Sequence, residues 1–251
     1  MNNINSINKV MNLISSFSRK KNILVVSYTS SESQVFSINV VQKTYSSSLY
    51  LENESFCETI SSSKFVSLAK RIYQNEKEIK VYEAKELNEL KDKEAPSIYD
   101  INAYFSKYKT LIKPYFYIDE YGKYSKQETN TIRENLLPII IDENTILSIT
   151  EKENKYIISL SPKKANLYYS ELIKENGDFD ELPVFNNTSI EITYKDDILT
   201  STRMHNEYKA KSGFLKLNIT ENTYSEYKYN VNKNIPAIKD EFIKYNDNIM
   251  N

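Results

Sequence analysis

Residues 187 to 231 read NTSIEITYKDDILTSTRMHNEYKAKSGFLKLNITENTYSEYKYNV, and this stretch decides the predicted fold. Apolar and polar residues alternate along most of it, as they do along β-strands, whose successive side chains point to opposite faces. Short polar turns separate the alternating runs. The pattern predicts a meander of four antiparallel strands, at residues 187–194, 198–208, 213–220 and 225–231.

The same alternation predicts which residues share the apolar face of this meander. A sheet with one apolar face must lay that face against helices, a ligand or a partner. We therefore expect a ligand-binding surface there, with tyrosine hydroxyl groups at its mouth. The predicted ligand-binding residues are Ile190, Ile192, Leu215, Leu217, Tyr227 and Tyr229. The alternative interpretation is that these residues only form the core.

The first fifty residues predict a helix followed by a small group of strands. Apolar residues recur at helical spacing over residues 5–18, with Ser6 as the expected N-cap. Runs rich in β-branched residues follow, and the polar residues 30–33 predict a hairpin turn. The predicted strands are residues 22–28, 34–42 and 47–52.

The middle of the chain has a different pattern, and we interpret residues 63–136 as a helical insertion within a single domain over residues 1–251. Strands flank this segment on both sides, and no linker rich in glycine, serine or proline marks either edge. Helices are predicted at residues 64–73, 84–93, 98–113 and 126–136, and a short strand at residues 79–82. After Pro138 strands resume, and residues 164–174 predict a short helix or an irregular strand.

Together these patterns predict an α+β fold with a curved antiparallel sheet. The sheet forms a half-barrel, and helices cover its concave face. The helices at residues 5–18 and 98–113 carry apolar stripes wide enough to do so.

Composition excludes several classes of function. The 251 residues include three glycines, too few and too scattered for a phosphate-binding loop. A formal net charge of −1 and the lack of a strongly basic block argue against a nucleic-acid surface. No segment is apolar over the ~20 residues that a membrane span needs. We predict no cofactor and no transmembrane segment.

The nucleophiles and acids of the chain do not form a recognisable catalytic motif. With one cysteine, Cys57, and one histidine, His205, neither a disulfide within the chain nor a thiol metal site is expected. Cys57 is expected to be half-buried, and His205 to face solvent. Three acidic pairs are candidates for acid or base catalysis, and each lies in a turn-like context, where solvated carboxylates are common: Asp119 and Glu120, Asp142 and Glu143, Asp196 and Asp197. We predict that the protein is not an enzyme, with a carboxylate hydrolase as an alternative.

Tyrosines crowd into the segment around residues 99–121. Aromatic residues anchor protein interfaces, so this crowding predicts a surface for a protein partner. The alternative is that half of these tyrosines pack inward, on the apolar stripe of the predicted helix. The predicted partner-binding residues are Tyr99, Tyr104, Tyr108, Tyr115 and Tyr117.

The C-terminal stretch resembles the end of LolA-like domains, the lipoprotein-localisation-factor fold of bacterial envelope carriers and lipoproteins. The residues that carry this resemblance are 189–194, 195–199, 213–220, 223–227 and 234–236. The N-terminal helix and the two runs after it also fit the family. The chain departs from the pattern in residues 63–136 and in lacking a leader and a lipid-acceptor cysteine near its start.

The resemblance implies a half-barrel with a cavity between sheet and helices that holds an acyl chain or another apolar ligand. The sequence is compatible with three functions. The first is a non-enzymatic binding or scaffolding protein of bacterial envelope type, which holds a protein partner or a hydrophobic ligand. The second is a lipid or lipoprotein carrier, and the third is the hydrolase. The expected location is the cell envelope if a leader has been removed, and otherwise the cytoplasm; the oligomeric state is left open.

Overall fold

The structure, a computed structural model, describes most of residues 2–63 and 137–231 and parts of the segment between them. The described residues are 2–18, 22–35, 38–51, 54–63, 67–75, 79–84, 109–110, 115–118, 124–127, 137, 139–177 and 179–231. Two compact units divide the chain. Unit 1 consists of Met1–Lys20, Thr29–Gln42 and Asn135–Tyr227. Unit 2 consists of Lys21–Tyr28, Lys43–Glu134 and Lys228–Asn251.

Strands outnumber helices among the described residues. The three helices are α1 Asn2–Ser18, α2 Pro162–Ala165 and α3 Leu167–Gly177. The first eight strands are β1 Ile23–Val35, β2 Ile38–Tyr50, β3 Glu54–Ser63, β4 Ser67–Asn75, β5 Ile79–Ala84, β6 Lys109–Thr110, β7 Tyr115–Ile118 and β8 Tyr124–Gln127. The last five are β9 Ile146–Lys152, β10 Lys155–Leu160, β11 Val184–Lys195, β12 Ile198–Ser212 and β13 Leu215–Lys228. None of the helices in the described part of the chain is both long enough and apolar enough to cross a membrane.

Unit 1 contains an antiparallel sheet in which the strands follow the order β2-β1-β13-β12-β11-β10-β9. Strands β9 to β13 form antiparallel pairs with their neighbours. The hydroxyl groups of Thr29 and Thr223, 2.9 Å apart, join β1 to β13. The antiparallel sheet predicted from sequence is therefore confirmed.

Alternation separates two faces of the unit 1 sheet. Ile190, Ile192 and Met204 are buried, while the residues between them carry the polar contacts of the other face. There, Lys155 forms an ion pair with Glu191 at 2.9 Å. Helix α1 contacts β12 and β9, and α2 contacts β11. The period of two thus decides which side of each strand meets the helices.

In unit 2, the strands follow the order β6-β5-β4-β3-β2-β1, and β7 and β8 form a separate hairpin. Strand β4 pairs antiparallel with both β3 and β5. The helix predicted over residues 64–73 is therefore wrong, because β4 occupies Ser67–Asn75. Backbone hydrogen bonds to two neighbouring strands have overridden a local helical spacing.

Of the other helices predicted within residues 63–136, the structure describes only fragments. Lys109–Thr110, at the end of the predicted helix 98–113, is a strand that pairs with β5. Residues 85–93 lie outside the described residues, as do residues 128–136. The single domain over residues 1–251, with 63–136 as an insertion, stays a prediction. Strands β4 and β6 lie where helices were predicted, whereas the short strand predicted at residues 79–82 is found as β5.

Two groups of predicted strands are in fact longer strands. Residues 30–33 continue β1 and do not turn, so the three strands predicted at residues 22–52 are two, β1 and β2. The predicted strands 213–220 and 225–231 likewise belong to one strand, β13. In both cases a run of small or polar residues looked like a turn, although pairing with a neighbouring strand keeps it extended.

The predicted N-terminal helix is confirmed as α1, with Val10, Leu13 and Phe17 buried. Its start is earlier than predicted, so Ser6 is not the N-cap but lies inside the helix. Its hydroxyl donates to Glu151 Oε2 at 3.2 Å. The helix predicted over residues 164–174 is found as α2 and α3.

Candidate functional site

A row of polar side chains crosses the buried face of unit 1. Thr188 on β11 lies opposite Asn206 on β12, and Asn206 lies opposite Glu221 on β13. Residues paired across antiparallel strands point to the same face. All three are buried, Thr188 and Asn206 completely and Glu221 with 8% of its surface exposed. Three adjacent strands therefore bring two neutral polar groups and one carboxyl group to the interior.

Two residues from the helical segment form hydrogen bonds with this row of side chains. Asn166, which joins α2 to α3, donates from Nδ2 to Thr188 Oγ1 at 2.6 Å. Tyr169 in α3 donates from its hydroxyl to Glu221 Oε1 at 2.5 Å. Asn206 Nδ2 donates to the same carboxyl oxygen over a longer distance of 3.4 Å. We call Asn166, Tyr169, Thr188, Asn206 and Glu221 the buried polar cluster.

The electrostatics of the cluster favour the neutral carboxyl group. Burial raises the pKa of Glu221, since a carboxylate loses its hydration there, and the hydrogen bonds from Tyr169 and Asn206 act in the opposite direction. No Lys or Arg in the described part of the chain forms an ion pair with Glu221. Burial and the nearby Glu221 also raise the pKa of Tyr169 and of Tyr208. Both phenols therefore keep their protons at neutral pH.

Two acceptor atoms in the cluster have no partner among the described residues. These are Asn166 Oδ1 and Asn206 Oδ1, on side chains that are almost fully buried. The orientation of the Asn166 amide is set by its nitrogen, which donates to Pro162 O at 2.8 Å as well as to Thr188. A buried polar group left unpaired costs about 1–3 kcal/mol. The cluster thus holds two buried acceptor atoms, Asn166 Oδ1 and Asn206 Oδ1, that can each take a hydrogen bond.

Apolar side chains pack beside the cluster. Phe185, Tyr208 and Ile219 form a buried group on β11, β12 and β13, and Ile173 of α3 packs against it. The rings of Phe185 and Tyr208 have centroids 4.9 Å apart, and those of Tyr169 and Phe185 are 5.9 Å apart. A few convergent polar groups within apolar walls are typical of sites for small molecules.

The structure places the predicted ligand-binding residues in different environments. Ile190 and Ile192 are fully buried on β11, next to the cluster. Tyr227 is buried as well: its ring meets Phe17 of α1 edge-on at 4.8 Å, and its hydroxyl lies 3.0 Å from Thr202 Oγ1. Burial raises the pKa of Tyr227 to about 12.

The remaining predicted ligand residues are less buried. Leu215 and Leu217, at the start of β13, are half-buried, and Leu217 packs against the Phe185 group. Tyr229 is half-buried and lies beyond the end of β13. Ligand binding by the six residues stays a prediction.

Most of the predicted partner-binding tyrosines lie outside the described residues. Tyr99, Tyr104 and Tyr108 lie outside the described residues. Tyr115 and Tyr117 belong to β7, for which the backbone alone is described. A protein partner at these positions stays a prediction.

Two of the three acidic pairs are described, and both lie in turns. Asp142 Oδ1 accepts hydrogen bonds from the backbone N–H groups of Asn144 and Thr145, at 2.8 and 2.9 Å. Asp196 and Asp197 form the β11–β12 turn with positive φ angles of 51° and 56°. These carboxylates shape turns, as their types predict. Asp119 and Glu120 lie outside the described residues.

The environments of Cys57 and His205 can be compared with the exposure predicted from the sequence. Cys57 is half-buried, and its sulfur accepts a hydrogen bond from Ser48 Oγ at 3.0 Å. His205 points away from the buried Met204, with Nδ1 2.8 Å from Asn222 Oδ1 and Nε2 3.3 Å from Glu207 Oε1. Its side chain is 33% exposed.

Sequence reasoning missed the buried polar cluster. Glu221 fell in the run 221–224, which was interpreted as a turn between two strands. A signal was present, because the period of two continues through this run and gives Glu221 the same parity as Ile219 and Tyr227. For Asn166 and Tyr169 the sequence holds no comparable signal, since their partners are 22 and 52 residues away.

No protein-family model and no curated protein matches the chain. A solved structure of a DUF1329 family protein from Desulfovibrio piger is similar over 90% of this chain and 93% of that chain, at 6% sequence identity and a TM-score of 0.30. A TM-score this low carries no argument about fold or function. The resemblance to LolA-like domains therefore stays a prediction.

Proposed function

We propose that this protein is a non-enzymatic binding protein that holds a hydrophobic ligand with a polar end between the unit 1 sheet and helices α1 and α3. In this proposal the sheet curves into a half-barrel, and the helices cover its concave face. The observation that carries the proposal is the buried polar cluster, which lies within apolar walls and has unpaired acceptors. The resemblance to LolA-like envelope domains supports the same role.

Two physical arguments favour binding over a purely structural core. Cores normally pair their buried polar groups, so the two unpaired amide oxygens lower the stability of the fold without strengthening its packing. Isoleucines 190 and 192 extend the apolar surface from this cluster along β11. An elongated ligand would lay its apolar part there and direct its polar end to the cluster.

Native mass spectrometry of the full chain after incubation with a mixture of amphiphiles tests the proposal. We expect an adduct that survives gentle ionisation and disappears when the protein is denatured. Protein that retains only its sequence mass with every amphiphile would contradict the proposal.

A pair of variants locates the ligand. Met204→Trp adds bulk to the buried face, whereas His205→Trp adds the same bulk to the other face of the same strand. We expect the first variant to lose the adduct and the second to keep it, with both checked for folding by circular dichroism. Equal retention by the two variants would show that the ligand lies elsewhere.

A further inference from the structure

The unpaired hydrogen-bonding atoms of the buried polar cluster indicate which kind of ligand group could bind there. Its unpaired atoms, Asn166 Oδ1 and Asn206 Oδ1, are acceptors, and Glu221 adds a carboxyl group. A ligand that pairs both amide oxygens must donate hydrogen bonds to them, which a carboxylate or a fully ionised phosphate group cannot do.

The spacing of the acceptors suits one compact donor. Asn206 and Glu221 face each other across neighbouring strands, and the Asn166 side chain is bonded to Thr188, which faces Asn206. Facing residues of antiparallel strands have Cα atoms about 4.5–5.5 Å apart. The Asn206 and Glu221 side chains are therefore neighbours on the buried face, and Asn166 reaches the next position through Thr188.

We infer that the buried polar cluster binds the primary ammonium group of an amphiphilic ligand, with Glu221 as its counter-ion and Asn166 and Asn206 as its amide acceptors. This inference rests on the proposed function, in which the apolar part of the ligand lies along the sheet. An ammonium group has three N–H donors and one positive charge. It satisfies both unpaired oxygens and supplies the cation that Glu221 lacks.

Binding is coupled to the release of a proton. Burial raises the pKa of Glu221, and the titratable groups that face it are the phenols of Tyr169 in α3 and Tyr208 in β12, which stay protonated. When an ammonium ion enters, the neutral carboxyl group gives its proton to the buffer and becomes a carboxylate paired with the cation. At a pH below the raised pKa of Glu221, one proton leaves for each ligand bound.

A set of ligands with the same eight-carbon chain tests the inference by titration calorimetry on the full chain. The ligands are octylammonium, octyltrimethylammonium, octanol and octanoate. We expect octylammonium to bind at least about tenfold more tightly than the others, because it alone combines positive charge with N–H donors. Heats measured in two buffers of different ionisation enthalpy should reveal the released proton.

Variants assign the effect to the cluster. Glu221→Gln keeps the shape of the side chain and removes its charge, so we expect it to lose the preference for octylammonium and the proton release. Glu151→Gln removes an exposed carboxylate of the same unit and should change neither. The ligand series on the unmodified protein remains decisive if Glu221→Gln does not fold.

The possible failures of this inference and of the proposed function are distinct. If octanol or octanoate binds as tightly as octylammonium, the ammonium inference is wrong and the proposed function stands. If octyltrimethylammonium equals octylammonium, charge alone is recognised and the amide acceptors have no role. If none of the four ligands binds, the ammonium inference is overturned, and the proposed function falls with it only when no amphiphile gives an adduct in native mass spectrometry.

Discussion

At the scale of single residues, the environment of Glu221 has a consequence for stability at different pH values. Its carboxyl group is buried on β13, where a phenol and an amide donate to it, and no described cation pairs with it. In the unfolded chain the same group is hydrated. The folded and unfolded states therefore bind a proton at Glu221 with different affinities, which links folding to pH.

The sign follows from the raised pKa of Glu221 in the folded state. Below the ordinary pKa of a glutamate, both states are protonated and Glu221 has no pH effect. Above it the unfolded state releases the proton while the folded state keeps it, so the free energy of unfolding decreases until the pH passes the raised pKa. We predict that Glu221→Gln abolishes this decrease, as measured by urea denaturation at several pH values.

Glu181→Gln is the matched control for this experiment. Glu181 is exposed and pairs with Lys211 at 2.6 Å, an arrangement that lowers the pKa of Glu181. Its contribution is present above the ordinary glutamate pKa and fades as the pH falls, so the control should retain the decrease at higher pH. An unchanged pH profile in Glu221→Gln would mean that the pKa of Glu221 is the same in the folded and unfolded states, which contradicts the raised pKa.

Phe17 is a second residue with a local and testable effect. Its ring is 3% exposed and packs edge-on against Tyr227, so its removal leaves a cavity between α1 and β13. We predict that Phe17→Ala lowers the free energy of unfolding by about 3–5 kcal/mol. The control Ile4→Ala, in the same helix but 70% exposed, should change it by less than about 0.5 kcal/mol. Equal effects in urea denaturation would contradict the packing of α1.

At the scale of elements, the β12–β13 hairpin depends on one glycine. Gly213 has a φ of +58°, in the left-handed region, and a Cβ atom at this position would meet no atom within 4 Å. The cost of a side chain is therefore one of backbone conformation and not of crowding. Its N–H group also donates to Asp180 Oδ2 at 2.6 Å, which ties the turn to the loop before β11.

We predict that Gly213→Ala lowers the free energy of unfolding by about 1–2 kcal/mol, the cost of the left-handed conformation for a residue with a Cβ atom. Gly213→Asn should cost less, because asparagine adopts this conformation more readily than other residues do. Thermal denaturation of the two variants measures the difference. An alanine variant as stable as the parent would show that the turn adopts another conformation.

At the scale of the whole molecule, charge is nearly balanced. The chain has 33 basic and 34 acidic residues, a formal net charge of −1, and an isoelectric point near 6.1. Repulsion between molecules vanishes at the isoelectric point. We predict a solubility minimum close to this pH, measured by polyethylene glycol precipitation over a series of pH values.

A single exposed substitution tests this prediction without touching the core. Glu143→Lys, in an exposed turn, changes the net charge from −1 to +1, because one negative charge is lost and one positive charge is gained. The solubility minimum should move to higher pH. A minimum that stays in place would indicate that surface patches, and not net charge, control solubility.

Local periodicity was sufficient for part of the fold. It placed Ile190 and Ile192 on the buried face and His205 on the opposite face, and it found α1, because a period of two or of 3.6 is a property of neighbouring residues. It failed where long-range pairing decides the backbone. Residues 67–75 have helical spacing yet lie between two strands, and the polar run at Glu221 looks like a turn yet lies within β13.

The sequence by itself determined that strands dominate the C-terminal quarter and which residues alternate between their faces. Its three scattered glycines form no glycine-rich phosphate-binding motif. These properties depend on residue type and on spacing along the chain. Only the tertiary structure decided that Asn166, Tyr169, Asn206 and Glu221 meet. Their hydrogen bonds join residues that are 15 to 52 positions apart in the chain. Such contacts depend on which strands and helices become neighbours, and local periodicity carries no information about that choice.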